Sequence, residues 1–208
     1  DMIFGEKFEK QYINVANNIN IAIRSKGAGP PLLLLHGYPQ TGYMWHKIAP
    51  RLAEDFTVVV ADLRGYGDSD KPTSSEDHAV YSKRAMAADM MAVMTALGYS
   101  QFFIAGHDRG GRVAHRLARD YPQAVTKLAV LDIAPTAMMY DTTDMHFATS
   151  YYHWFFLIQP APFPETLIGS DPKFFLESKM QYWGKDRGAI TNDAFDEYLR
   201  CFSNPDTI

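Results

Sequence analysis

The chain has one cysteine, Cys201, in 208 residues. No internal disulfide is possible, so a reducing compartment is compatible. No apolar run is long enough to span a bilayer. Residues Asp1-Met2-Ile3-Phe4-Gly5-Glu6 lack the basic-then-apolar order of a secretory signal. Basic residues are not in excess: 20 Lys and Arg stand against 24 Asp and Glu, a net charge of −4. That balance argues against a nucleic-acid binder. Repeats and low-complexity segments are also missing. The expectation is a soluble, cytoplasmic protein without nucleic-acid or membrane partners. With 47% hydrophobic and 21% charged residues, it has the composition of an ordinary globular domain.

A phosphate loop is missing as well. Leu63-Arg64-Gly65-Tyr66-Gly67-Asp68-Ser69-Asp70-Lys71-Pro72 is glycine-rich, but it lacks the full G-x-G-x-x-G pattern and no helix comes directly after it. No metal or cofactor is expected.

What is present is organised around Gln101 to Arg112. The apolar run Phe102-Phe103-Ile104-Ala105 ends in Gly106-His107-Asp108-Arg109-Gly110, and a helical pattern begins immediately with Val113, Leu117 and Tyr121. Strand, sharp turn and helix are the setting of a nucleophile elbow, here with a carboxylate at its centre. Glycines on either side allow strained dihedrals and close backbone approach. The central side chain then projects at the carboxyl end of the strand, where open α/β sheets bind ligands. The competing reading is a surface aspartate capping a helix. The apolar strand, the amphipathic helix and the two nearby arginines favour the elbow.

Around it the chain reads as α/β. Phe8–Val15 and Ile19–Arg24 predict a half-exposed hairpin. Pro31–Gly37, Thr57–Asp62 and Lys127–Asp132 read as apolar runs of strands buried on both faces, the mark of a parallel sheet covered by helices. A helical stretch is expected at about 43–54. Met86, Met90, Val93, Met94 and Leu97 form one face of another helix, ending at Gly98. Such a methionine stripe is core. After Pro135 no strand pattern remains. Met145–Leu157, Phe174–Trp183 and Ala194–Phe202 read as helices of a cap over the carboxyl end of the sheet. The division is 1–135 for the core and 136–208 for the cap.

A serine oxygen suits attack on an acyl carbon, whereas a carboxylate suits displacement at a saturated one, because the resulting ester can be hydrolysed afterwards at its own carbonyl. Asp108 therefore implies an alkyl–enzyme ester formed by expelling halide or opening an epoxide. Arg109 and Arg112 stand three residues apart at the start of the helix, and guanidinium forks match carboxylates. They predict a small anionic substrate such as a 2-haloacid; the alternative for Arg112 is an outward surface ion pair. His153-Trp154 could be packing residues or ring N–H donors to a leaving halide. Asp132 could be a loop acid or cap.

His36-Gly37-Tyr38-Pro39, Asp62-Leu63-Arg64-Gly65-Tyr66-Gly67-Asp68-Ser69, Gly106-His107-Asp108-Arg109-Gly110-Gly111-Arg112 and Leu131-Asp132-Ile133-Ala134-Pro135 together resemble the α/β-hydrolase superfamily. Arg109 with Arg112, and His153-Trp154-Phe155-Phe156-Leu157, resemble its fluoroacetate (haloacetate) dehalogenases. The resemblance implies a mostly parallel sheet with a helical cap, and Asp108 as nucleophile. It assigns Asp132 to orienting a catalytic histidine and both arginines to the substrate carboxylate. It assigns His153 and Trp154 to the halide, with a third, tyrosine donor expected beyond residue 208. It gives the backbone N–H of Tyr38, with that of Arg109, the oxyanion role, with a cis bond before Pro39. A homodimer is implied by the same analogy.

One expected part is lacking. The last histidine is His153, and none after Asp132 fits the family's base. The closing elements of the family's sheet are also missing, so the chain reads as part of a longer enzyme. Two rivals remain. An epoxide hydrolase would use the same aspartate with tyrosines such as Tyr151, Tyr152, Tyr182 or Tyr198 as acids. A fragment that binds small acids without turning them over is the other. Haloalkane dehalogenases place Trp after the aspartate and fit less well.

Overall fold

The computed structural model describes Phe4, residues 8–183 and residues 188–208. Most of the N-terminal signal test therefore lies outside the described residues. A six-stranded sheet is built from β1 (Glu9–Val15), β2 (Ile19–Lys26), β3 (Pro31–Leu35), β4 (Thr57–Ala61), β5 (Phe102–His107) and β6 (Val125–Leu131). Its order is β1-β2-β4-β3-β5-β6. β1, β2 and β4 pair antiparallel, while β4, β3, β5 and β6 run parallel. Helices α1 (Ala49–Leu52), α2 (Lys83–Ala96) and α3 (Arg109–Asp120) accompany the sheet. Among the described residues no helix is long and apolar enough to cross a membrane.

The continuous apolar runs give the central strands. Leu33, Leu35, Val59 and Ile104 face α2 and α3 in one buried cluster; Leu32, Leu34, Val58 and Val60 face Trp45 and Phe8 in a second. Strands apolar on both faces need cover on both faces, and they have it. The methionine stripe does what its spacing predicts: Met86, Met90 and Met94 are buried in the first cluster. α2 starts at Ser82, whose hydroxyl accepts from the Ala85 N–H, and Gly98 comes just after its end at φ +86°.

Some expectations change. The hairpin is half-exposed only along β1; β2 is mostly buried because its other edge pairs with β4. The helix expected at 43–54 is a 3-10 turn at Gly42–Trp45 and a single α-turn, α1, begun by Pro50. β6 forms where expected but is exposed along most of its length. Among the described residues it is the sheet's edge, paired with β5, and Leu128, Val130 and Leu131 remain 39%, 46% and 41% accessible. An apolar sequence shows what a strand could bury, not what is there to bury it.

From Thr136 onward the described residues are helical or irregular: α4 (Thr136–Asp141), α5 (Met145–Ser150), α6 (Tyr152–Phe156), α7 (Phe163–Ser170), α8 (Pro172–Trp183) and α9 (Asn192–Phe202). α4 and α7 were not expected, and the stretch 145–157 is split at Tyr151. These helices close a third apolar cluster around Ile168, Leu176, Tyr198 and Phe202, with Tyr38, Tyr43 and Met44 packed against it. An ion-pair hub ties them to the sheet. Asp68 meets Lys10 of β1, Arg24 of β2 and Arg200 of α9 at 2.8, 3.0 and 2.9 Å. Partial burial opposes its charge, but Lys10 and Arg200 outweigh that and hold the carboxyl well below its usual range.

The elbow rests on a backbone crossing with no spare room. A Cβ at Gly110 would lie 2.3 Å from the His36 carbonyl oxygen and 2.6 Å from that of Leu35. Both obstacles are main chain and cannot swing away. Gly110→Ala should therefore destabilise the fold by about 3 kcal/mol or more, at the severe end for one substitution. Urea denaturation measures this; a loss under about 0.5 kcal/mol, the range of an innocuous surface change, would contradict it.

Candidate active site

Asp108 sits between β5 and α3 with φ 48° and ψ −118°. A non-glycine residue in such a region costs about 1–3 kcal/mol and persists only where its surroundings impose it. Here they do. The Asp108 N–H donates to the Leu131 carbonyl (3.2 Å), and its own carbonyl accepts from the Arg112 N–H (3.1 Å). Its Oδ2 accepts from the Tyr38 backbone N–H at 2.9 Å. Gly37 makes that approach possible, since a Cβ there would fall 2.5 Å from Asp108 Cβ. The Tyr38–Pro39 bond is cis, as expected. Asp108 caps no helix N–H with its side chain, so the capping alternative is gone.

The two arginines flank this carboxylate on different aromatic beds. Arg109 Nη1 donates to the Tyr66 hydroxyl at 2.5 Å, and its guanidinium lies 4.6 Å from the centre of the Tyr38 ring. Arg112 Nη1 donates to the Ala134 carbonyl (2.9 Å) and the Thr136 hydroxyl (2.6 Å), with its guanidinium 4.8 Å from the Trp154 ring. Arg112 thus turns toward Trp154 and, among the described residues, pairs with no surface acid. Burial weakens the charge of Arg112 and Asp108 supports it. For Arg109 burial acts the same way, but Tyr66, Tyr38 and Asp108 together outweigh it.

His153 and Trp154 meet the site from α6. His153 is buried, and its ring stacks parallel to Tyr38 at 6.5 Å. Burial first, then Lys179, lowers its pKa to about 4 despite the pull of Asp108, so the imidazole is neutral near pH 7. Trp154 packs on Tyr140 at 5.4 Å. Asp132 is the outlier. It lies just past β6 at φ 55°, its side chain is 87% exposed, and its Oδ2 is 3.9 Å from His107 Nε2. The elbow thus brings Asp108, Arg109, Arg112, Tyr38, His153 and Trp154 together, while Asp132 faces outward beside them.

Three neighbours carried no signal in the sequence. Tyr66 receives Arg109 from within the glycine-rich loop. Lys83, the first residue of α2, lies half-buried near the same charges. Burial and Arg109 lower its pKa to about 8, with Asp108 opposing and Arg112 assisting. Lys179 is the third. A cavity of about 150 Å³ opens beside Arg109, Tyr38 and Tyr66, walled by Leu157, Ile168 and Phe202.

A sequence profile of the α/β-hydrolase fold matches residues 30–200. The chain belongs to the α/β-hydrolase superfamily. It is 48% identical to a fluoroacetate dehalogenase of Burkholderia sp. across 98% of its own length and 67% of that protein's. It is 36% identical to a soluble epoxide hydrolase of Corynebacterium sp. strain C12, across 88% and 63%. An α/β hydrolase from Nostoc sp. PCC 7120 superposes at a TM-score of 0.95 with 58% identity, covering 98% of this chain and 69% of that one. The chain thus spans about two thirds of the length of the first two proteins. Both a dehalogenase and an epoxide hydrolase thus stand among its relatives.

Proposed function

We propose that this chain carries the nucleophile and anion site of a haloacetate dehalogenase. One observation carries the reading: two guanidiniums, Arg109 and Arg112, flank the carboxylate at the elbow. A site for neutral epoxides has no use for them, whereas a haloacetate needs its carboxylate held while its saturated carbon is attacked. Asp108 Oδ2 is engaged by Tyr38, which leaves Oδ1 to attack in line with the carbon–halogen bond. The new C–O bond forms, the halide departs with the bonding pair, and an aspartyl ester remains. His153 and Trp154 offer ring N–H groups toward the halide as its charge develops. The Tyr38 N–H, already on Oδ2, is placed to hold the oxyanion when water later attacks the ester carbonyl. Asp132 serves to orient the base of that second step. The helices from Thr136 onward act as the cap, and a homodimer is the assembly proposed by analogy.

The epoxide hydrolase reading has the Corynebacterium relative in its favour, but its acids are poorly placed. Tyr198 is buried, accepts from Gln40 Nε2 at 3.3 Å, and burial suppresses its acidity further. Tyr151 and Tyr152 are 40% and 48% exposed to solvent; the side chain of Tyr182 lies outside the described residues.

The test is the adduct. Incubation with chloroacetate or fluoroacetate should release halide and leave a carboxymethyl ester on the Asp108 peptide, seen by mass spectrometry. A hydroxyalkyl ester from a neutral epoxide, with no halide from either haloacid, would favour the epoxide hydrolase. Haloacetate binding by calorimetry with no adduct of either kind would leave only a small-acid binding fragment.

A further inference from the structure

The helical segment holds a cation that the displacement itself does not use. Lys179, in α8, is only 3% exposed. Its Nζ lies 3.5 Å from the centre of the Tyr152 ring and 5.3 Å from that of Phe175. Burial pulls its pKa down to about 8, which still leaves it mostly charged near pH 7.

This charge is felt at the imidazole of His153, whose pKa it helps to lower. Tyr152 meets His153 edge-on at 6.2 Å, His153 stacks on Tyr38, and Tyr38 carries the guanidinium of Arg109. The row runs Lys179, Tyr152, His153, Tyr38, Arg109, with a cation at each end and a neutral donor in the middle. A protonated imidazole would grip the departed halide as an ion pair. A neutral one with a cation behind it offers the same N–H and a positive potential, yet lets the product leave.

We propose that Lys179 is a positioning residue for the leaving group, acting through Tyr152 and His153 to favour departure of the smallest and most charge-dense halide. It exchanges no proton: Asp108 oxygen bonds to carbon, carbon releases fluoride with the electron pair, and Lys179 supplies field alone. Fluoride concentrates the developing charge and gains most from that field, whereas bromide spreads it and gains least. The inference rests on the dehalogenase reading and refines it.

First-turnover halide release from fluoroacetate and from bromoacetate would be timed in the wild type, Lys179→Met, Lys179→Gln and Lys179→Arg, each checked for fold by circular dichroism. A direct donor to a developing anion is worth about 10²–10³ in rate, so a charge one ring further back should be worth about tenfold. The fluoride-to-bromide rate ratio should fall about that much in the Met and Gln variants and return with Arg. Equal slowing of both substrates, an unchanged ratio, or loss of fold in both neutral variants would make Lys179 structural and overturn the proposal. An Arg variant that folds without restoring the ratio would do the same. A wild type inert to both haloacetates would sink the dehalogenase reading and this inference with it. An active wild type whose ratio survives the Met change would sink this inference alone.

Discussion

Asp108→Asn should lower halide release from chloroacetate or fluoroacetate by on the order of 10⁴-fold or more, the scale on which loss of a nucleophile reports. The amide keeps the shape of the carboxylate. It still accepts from the Tyr38 N–H, so the elbow should hold. What it loses is the electron pair that displaces halide. Binding should move the other way. Asp108 is the anion among Arg109, Arg112 and Lys83, and its neutralisation leaves those cations to the ligand's carboxylate. Calorimetry should therefore find haloacetate bound at least as tightly by the variant as by the wild type. Halide release within tenfold of wild type would mean that the displacement happens elsewhere.

A second large effect concerns the fate of the ester once halide has left. The 208-residue chain should release one equivalent of halide per molecule and then stop, with the ester intact and no glycolate formed. Hydrolysis needs a base beside the ester, and the histidines present are otherwise employed. His36 is buried and accepts from the Leu63 N–H through Nε2. His46 bonds the Tyr43 carbonyl. His153 is neutral among aromatic rings, and His78, His115 and His146 are exposed to solvent. A fluoride electrode and a glycolate assay decide the matter. Glycolate accumulating beyond one equivalent, in a preparation free of other hydrolases, would show that the chain has its own base. His107, 3.9 Å from Asp132, would then be the residue to replace by Gln.

The elbow could be read from the sequence because backbone constraints leave local marks. Glycines at 106 and 110, an apolar strand before and an amphipathic helix after leave Asp108 one way to point. The buried strands were legible for a similar reason, since runs such as Leu32–Leu35 suit no half-exposed position. The rest depends on pairs distant in sequence. Tyr66 meets Arg109 across 43 residues, and no periodicity encodes that contact. Lys179 looks like any lysine on an amphipathic helix until Tyr152 and Phe175 close over it. β6 carries the same apolar signature as β3, yet among the described residues no strand pairs with its outer side. α4 and α7 were missed because six and eight residues are too few to establish a helical period, although Pro164 in the first turn of α7 was a usable start signal.

That open strand has a practical consequence. β6 presents a row of main-chain donors and acceptors beside Leu128, Val130 and Leu131, which is a template for strand pairing between molecules. Concentrated samples should therefore lose material to intermolecular assembly faster than active-site chemistry would explain. Kinetic work on the chain is best done dilute, with light scattering recorded alongside each rate.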